Sequence, residues 1–210
     1  MILHAFWRSG ASYRTRIALN LKGLTYDLRV VNLRAGEQGS DAYRRLNPQG
    51  MLPALEVDGA VLTQSPAILE WLEETHPQPP LLPTTAQARA EVRAMAAIAG
   101  SDMQPLTNLR VLKALRRDFG ADDAALDRWA GQWNASGLAA LEVLVERHGD
   151  GWAHGATPTL ADCYLIPQIY SARRFHVPLE AYPRLLAIEA AAEAHPAFIA
   201  AHPDRQPDAV

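Results

Sequence analysis

The sequence predicts an α/β domain followed by an all-helical one, and three observations lead there. Strand-like and helix-like stretches alternate through residues 1–76, a run of prolines then interrupts the chain, and beyond it no stretch has the pattern of a strand. The run, His76-Pro77-Gln78-Pro79-Pro80-Leu81-Leu82-Pro83, cannot be helical and reads as a stiff extended linker. The expected boundaries are 1–76 for the first domain, 77–85 for the linker and 86–210 for the second domain.

Each element has its own signal. Ile2 to Phe6 is a short apolar strand. From Ser12 to Lys22, Ile17, Ala18 and Leu21 fall at helical spacing with Arg14, Arg16 and Asn20 off that face, and Gly23 ends the helix. Tyr26 to Val31 is a second strand, and Asp41 to Leu46 a short helix stopped before Asn47-Pro48. Ala54 to Val57 and Ala60 to Thr63 flank Asp58-Gly59, a strong hairpin signal. Ser65-Pro66 opens the next helix, with Ser65 as its cap, Pro66 in its first turn, and Ile68, Leu69 and Leu72 as its buried stripe. Past the linker, Ala86 to Arg117 reads as one long helical stretch kinked at Pro105. Ala124 to His148, Thr159 to Phe175 and Pro183 to Ala194 follow as helices, the second of them opened by the capping box Thr159-Leu160-Ala161-Asp162.

Composition excludes several functions. A net charge of -3 with scattered arginines and lysines gives no footprint for nucleic acid, so Arg14, Arg16, Lys22, Arg44, Arg45, Arg116 and Arg117 are expected mostly on solvated faces. The single cysteine, Cys163, excludes an internal disulfide, a Cys-rich zinc site and a redox pair, and its apolar surroundings suggest a buried structural thiol. The N-terminus does not resemble a signal peptide and no apolar run approaches a membrane span, so a reducing cytoplasmic location without a membrane partner is expected. The seven histidines show no metal-ligand spacing, so no metal is expected. The five tryptophans read as core or interface residues.

The β-α-β, β-β-α order with a hairpin is the thioredoxin-like arrangement, and a helical bundle behind it is the plan of cytosolic glutathione transferases. Arg8-Ser9-Gly10-Ala11-Ser12-Tyr13-Arg14-Thr15-Arg16-Ile17-Ala18-Leu19 resembles the zeta-class signature, Arg-Ser-Ser-Cys-Ser-Trp-Arg-Val-Arg-Ile-Ala-Leu. The resemblance continues through Leu46-Asn47-Pro48, Leu52-Pro53-Ala54-Leu55, Gln64-Ser65, Leu72-Glu73-Glu74, Gln104-Pro105-Leu106, Ala172-Arg173-Arg174-Phe175 and Arg205-Gln206-Pro207-Asp208, nearly the whole chain. That family contains maleylacetoacetate isomerases, and its bacterial relatives include maleylpyruvate isomerases. The resemblance implies glutathione as cofactor, a small diketo dicarboxylic acid as substrate, and a homodimer in which the first domain meets the partner's second.

Ser9 stands in the turn before the first helix, where a hydroxyl, free amides and the helix dipole all favour a thiolate over a thiol. The competing reading is a plain helix cap. Gly10 and Ala11 replace the signature's second serine and its cysteine, which removes covalent chemistry by an enzyme thiol there and leaves Ser9 as main activating hydroxyl, with Ser12 behind it. Glycine after the first serine also occurs in some maleylpyruvate-type relatives. By resemblance, the backbone of Leu52, before a cis Pro53, pairs with the cysteinyl part of glutathione. Gln64 and Ser65, at a helix N-terminus, take the γ-glutamyl carboxylate. Gln38 reaches toward the glycyl end, or is simply a solvated residue of the polar loop from Ala35 to Ser40. Arg8 and Arg174 match cleft positions, and arginine is the natural partner for a carboxylate at each end of the substrate. Gln104 matches a position near both ligands, and Asn108, one turn on, shares its helix face.

The implied reaction is thiolate addition to a maleyl double bond, rotation and elimination, which returns glutathione unchanged. Trp7-Arg8-Ser9-Gly10 and Arg16-Ile17-Ala18-Leu19-Asn20-Leu21-Lys22-Gly23 resemble the maleylpyruvate branch. Gln38, Gln104 and Leu109, where that branch tends to be basic, resemble the maleylacetoacetate type, which is preferred. A conjugating or dehalogenating transferase and a non-catalytic glutathione-binding module are the other readings.

Overall fold

The computed structural model describes residues 1–210. The chain forms two compact units, one of Met1–Pro80 with Ala194–Val210, the other of Leu81–Glu193.

In the first unit, β1 (Ile2–Ala5) lies inside a four-stranded sheet of order β2-β1-β3-β4. It pairs parallel with β2 (Asp27–Val30) and antiparallel with β3 (Ala54–Val57), which turns back into β4 (Ala60–Thr63). Both turn residues of that hairpin are left-handed, Asp58 at φ 49° and Gly59 at φ 79°, the conformation that Asp-Gly adopts at low cost. The parallel pair requires a crossover, and α1 (Gly10–Leu21) lies within it. Two more helices, α2 (Asp41–Leu46) and α3 (Ser65–Thr75), follow. Leu3, Ile17, Leu19, Leu55, Ile68, Leu69 and Leu72 are fully buried and form the core. A smaller cluster gathers Phe6, Trp7, Val31, Tyr43, Leu52 and Ala54.

Three sequence expectations change in this unit. Arg14, Arg16 and Lys22 do not lie on a solvated face but are buried. Part of the reason is a short C-terminal helix the periodicity did not announce, named α9 here (Pro196–Ala201), which packs against α1, as α3 also does. Arg16 Nε donates to Ala201 O and Asn20 Nδ2 to Ala197 O, both at 3.0 Å, so polar residues one turn apart on α1 meet carbonyls one turn apart on α9. Lys22 Nζ donates to Glu73 Oε2 at 2.6 Å and to Pro79 O at 2.7 Å. The α9 segment also places residues 194–210 with the first unit, where the sequence suggested a second domain running to 210. Thirdly, Gln64, not Ser65, occupies the cap of α3, and Ser65 is its first helical residue.

The second unit is helical: α4 (Ala86–Ala97), α5 (Leu109–Phe119), α6 (Asp123–His148), α7 (Leu160–Arg174) and α8 (Pro183–Ala194). The expected single helix from Ala86 to Arg117 is broken. After α4 the chain widens into a π-helical stretch, Ile98–Met103, and turns before α5 restarts with Asn108 as its cap. Pro105 lacks the N–H a continuing helix needs. The π stretch packs on α6 where buried Gly137 leaves room for the Met103 side chain. At the start of α7 the Asp162 carboxylate accepts the Thr159 N–H at 2.8 Å and its hydroxyl at 2.9 Å, as the capping signal predicts. Cys163 is buried and forms no disulfide. No helix is long and apolar enough to cross a membrane.

Candidate functional site

The first candidate feature is the turn Trp7-Arg8-Ser9 between β1 and α1. Ser9 caps α1 from an extended backbone (φ -69°, ψ 118°), and its Oγ accepts the Ser12 N–H at 3.3 Å. No acidic residue stands in the first turn of α1, so its positive end is free to favour an anion. The arrangement supplies a hydroxyl, amides and a helix terminus at one half-buried place. Ser12 is different. It is fully buried and its Oγ accepts the Phe6 N–H at 3.4 Å, so this hydroxyl holds the strand end instead of facing a ligand.

The turn is held from behind. Trp7 N–H donates to Asp208 Oδ2 at 3.0 Å, and Trp7 O accepts from Arg16 Nη2 at 3.0 Å. Arg8 and Arg34 both lie over the Trp7 ring, at 5.5 and 5.6 Å from its centroid. Sequence reasoning missed Asp208 as a contact, although it closes one of the motifs quoted above. A side chain 201 positions away leaves no local periodic signal.

A second group surrounds the Leu52–Pro53 peptide, which is cis. Asn47 Nδ2 and the Tyr43 hydroxyl both donate to Met51 O, at 2.7 and 2.8 Å, and so fix the chain just before Leu52. Burial pushes the Tyr43 phenol up to about 12, the Asn47 hydrogen bond opposing it, so it stays a neutral donor. Gly50 has φ 64°, and a side chain there would come within 2.9 Å of Gln38 O. Glycine thus lets this loop approach the Gln38 backbone. Gln38 Oε1 is buried without a hydrogen-bond partner.

At the start of α3, Gln64 holds φ 65°, ψ 111°, a strained conformation for a residue with a side chain. Its amide donates to Gln49 Oε1. No acid lies in the first turn of α3, and Ser65 is buried there.

In the second unit, Gln104 ends the π-helical stretch and Asn108 caps α5, its Oδ1 accepting the Arg110 N–H at 3.1 Å. The helix break between them removes the shared face that the sequence suggested, and it gives Asn108 a capping task. Arg174, last residue of α7, is exposed and lies over the Phe175 ring at 5.5 Å.

Residues 8–75 match the glutathione S-transferase N-terminal domain family. The maleylacetoacetate isomerase of Pseudomonas aeruginosa is 51% identical over 212 residues, covering 99% of this chain and 98% of its own. The chain belongs to the zeta-class glutathione transferases. A solved zeta-class bacterial enzyme, maleyl pyruvate isomerase in its holo form, superposes with a TM-score of 0.98 at 51% identity, with both chains covered in full. The maleylacetoacetate isomerase of Anaeromyxobacter dehalogenans, solved with glutathione in its active site, gives 0.90 at 48% identity, covering 100% of this chain and 97% of that one. The Ser9 cap, the cis Pro53 and the strained Gln64 all fall within the residues that match the transferase N-terminal domain family. Zeta-class membership does not choose between the two isomerase names, which occur at equal identity.

Proposed function

We propose that the chain is a glutathione-dependent cis–trans isomerase acting on maleylacetoacetate, with fumarylacetoacetate as product. The carrying observation is the Ser9 turn, where a capping hydroxyl and an uncompensated helix N-terminus favour an anion. The first unit fits glutathione on further counts. Gln38 carries a buried, unpartnered carbonyl oxygen, and α3 offers first-turn amides without a competing acid. Ser9, Gly10, Ala11, Gln38, Leu52, Pro53, Gln64 and Ser65 are the residues proposed to hold it.

Bound glutathione supplies a thiol whose anion adds to the activated double bond and leaves again after rotation, so none is consumed. Ser9 donates its hydroxyl to the sulfur and keeps it ionised. Arg8 offers a guanidinium beside that turn, suited to a substrate carboxylate or to the negative charge that develops on addition. Gln104 and Arg174 are the groups of the second unit proposed for substrate. The fully buried Ser12 and the capping Asn108 are not carried forward as ligand-binding groups. A homodimer in the cytoplasm completes the proposal, and sedimentation of the purified protein tests the assembly.

Maleylpyruvate is the second substrate to try, because a maleyl pyruvate isomerase matches this chain as well as a maleylacetoacetate isomerase does. The test is an absorbance assay with glutathione on both substrates, with Ser9→Ala alongside. Conversion to the fumaryl isomer without loss of glutathione is expected. A hydrogen bond to a charged acceptor is worth about 1.5–3 kcal/mol, so Ser9→Ala should lower kcat/KM roughly 10- to 100-fold. Tight glutathione binding with no turnover of either substrate would overturn the isomerase reading. Net consumption of glutathione on a chlorinated acid, again without isomerisation, would replace it with a conjugating activity.

A further inference from the structure

Histidine spacing in the sequence suggested no metal site, yet the second unit brings three ligand-bearing side chains together. Glu91 comes from α4, His148 ends α6, and His154 stands in the following loop. His154 Nε2 lies 3.1 Å from Glu91 Oε2, and His148 Nδ1 lies 3.5 Å from the same oxygen. The two imidazoles stack, with centroids 5.5 Å apart and planes 9° from parallel. One donor atom from each residue lies within 4.8 Å of the others. A tetrahedral ion with bonds near 2.0–2.1 Å needs donor atoms about 3.3 Å apart. Two of the three edges already have that length.

The surroundings hold this set in place. Gly155 N–H donates to His148 O at 2.8 Å, and Asp150 and Trp152 both donate to Gly155 O, at 3.1 and 3.3 Å. Gly151 and Gly155, at φ 90° and 75°, permit so tight a loop. Ala153 N–H donates to Asp162 Oδ1 at 2.8 Å and ties the loop to the start of α7. Gln87 Nε2 donates to Glu91 Oε1 at 2.9 Å and leaves Oε2 to the histidines, as an outer-shell partner orients a ligating carboxylate. The three side chains are 15–27% exposed, within reach of an ion from solvent.

We propose that Glu91, His148 and His154 form a binding site for a divalent first-row transition ion of the zinc type, with water in its open position. Two imidazole nitrogens and one carboxylate oxygen suit such a borderline cation and not magnesium or calcium, which take oxygen ligands. The ion would displace the proton between His154 and Glu91 and clamp α4 to the loop joining α6 and α7. It would raise the stability of that unit.

The test uses untagged full-length protein freed of metal with a chelator, titrated with Co²⁺ and followed by its visible absorption. One Co²⁺ per chain, displaced by Zn²⁺ and not by excess Mg²⁺, is expected. Saturating Zn²⁺ should raise Tm by roughly 5 °C or more. Glu91→Gln and His154→Ala should each weaken binding about tenfold or more. His148→Gln, at the loop's edge, serves if either variant does not melt cooperatively in the absence of metal. No stoichiometric binding of micromolar Co²⁺, or binding that survives these substitutions, would overturn the site.

Discussion

Asp208→Ala tests how the Ser9 turn is held. Trp7 has its N–H on Asp208 and its carbonyl on Arg16, each at 3.0 Å, so both polar backbone groups of this buried residue are fixed two positions before Ser9. Alanine at 208 leaves the Trp7 N–H without its acceptor. A hydrogen bond to a carboxylate is worth about 1.5–3 kcal/mol, and the half-buried position of Asp208 favours the lower end. For a chain of this size that is a fall in Tm of roughly 3–6 °C. The larger effect is expected on activity, because a small displacement of a positioned group can cost up to about a hundredfold. Steady-state isomerase kinetics well below Tm should show kcat/KM down by roughly tenfold or more. Asp208→Asn keeps an acceptor oxygen and should recover most of it. A loss of Tm with kcat/KM unchanged would mean that Asp208 serves stability alone. An Asn variant no better than Ala would refute the hydrogen bond as the cause.

Two other perturbations follow from buried charge. Glu73→Leu alone leaves the Lys22 ammonium buried without its carboxylate and should cost about 3–5 kcal/mol in chemical denaturation, whereas Lys22→Met with Glu73→Leu should recover most of that; a double variant as unstable as the single would refute the pairing. Burial pushes the Asp162 carboxyl up to about 6, against the opposing hydrogen bonds from Ala153 and Thr159. Between about pH 4 and 6 the folded chain therefore keeps a proton that the unfolded chain has lost. The contribution of this group to stability falls as pH rises through that window and is flat above it, by roughly 3 kcal/mol at full extent. Carbon NMR of the Asp162 carboxyl checks it, and titration near pH 4 would sink the prediction.

Where a signal is local, the sequence was legible. The bounds of α2, β3, β4 and α8 match the sequence reading, because each ends at a proline, a glycine turn or a capping residue. The helix break at residues 104–108 was half legible: Pro105 marked trouble but not whether the chain would kink or restart. The metal-ligand cluster was illegible, because Glu91 lies 57 and 63 positions from the two histidines it meets. Ser9, Pro53 and Gln64 stand out in the sequence through a family signature and not through periodicity, since a cap, a cis peptide and a positive φ at element ends leave no periodic trace.

The misread arginines have a related cause. Reading α1 as amphipathic assumes that one face meets water, yet every residue from Ser12 to Leu19 is buried. This helix packs against both α3 and α9 while its N-terminus supports the Ser9 turn. A helix covered on both sides must satisfy its polar side chains internally. Arg16 does so by donating to Trp7 O on the site side and Ala201 O on the tail side. The C-terminal segment therefore does more than cover α1, since through Arg16 and Asp208 it holds the residue that leads into Ser9. Removing residues 203–210 should then affect catalysis before it affects the sheet, because none of the strand pairings involves that segment.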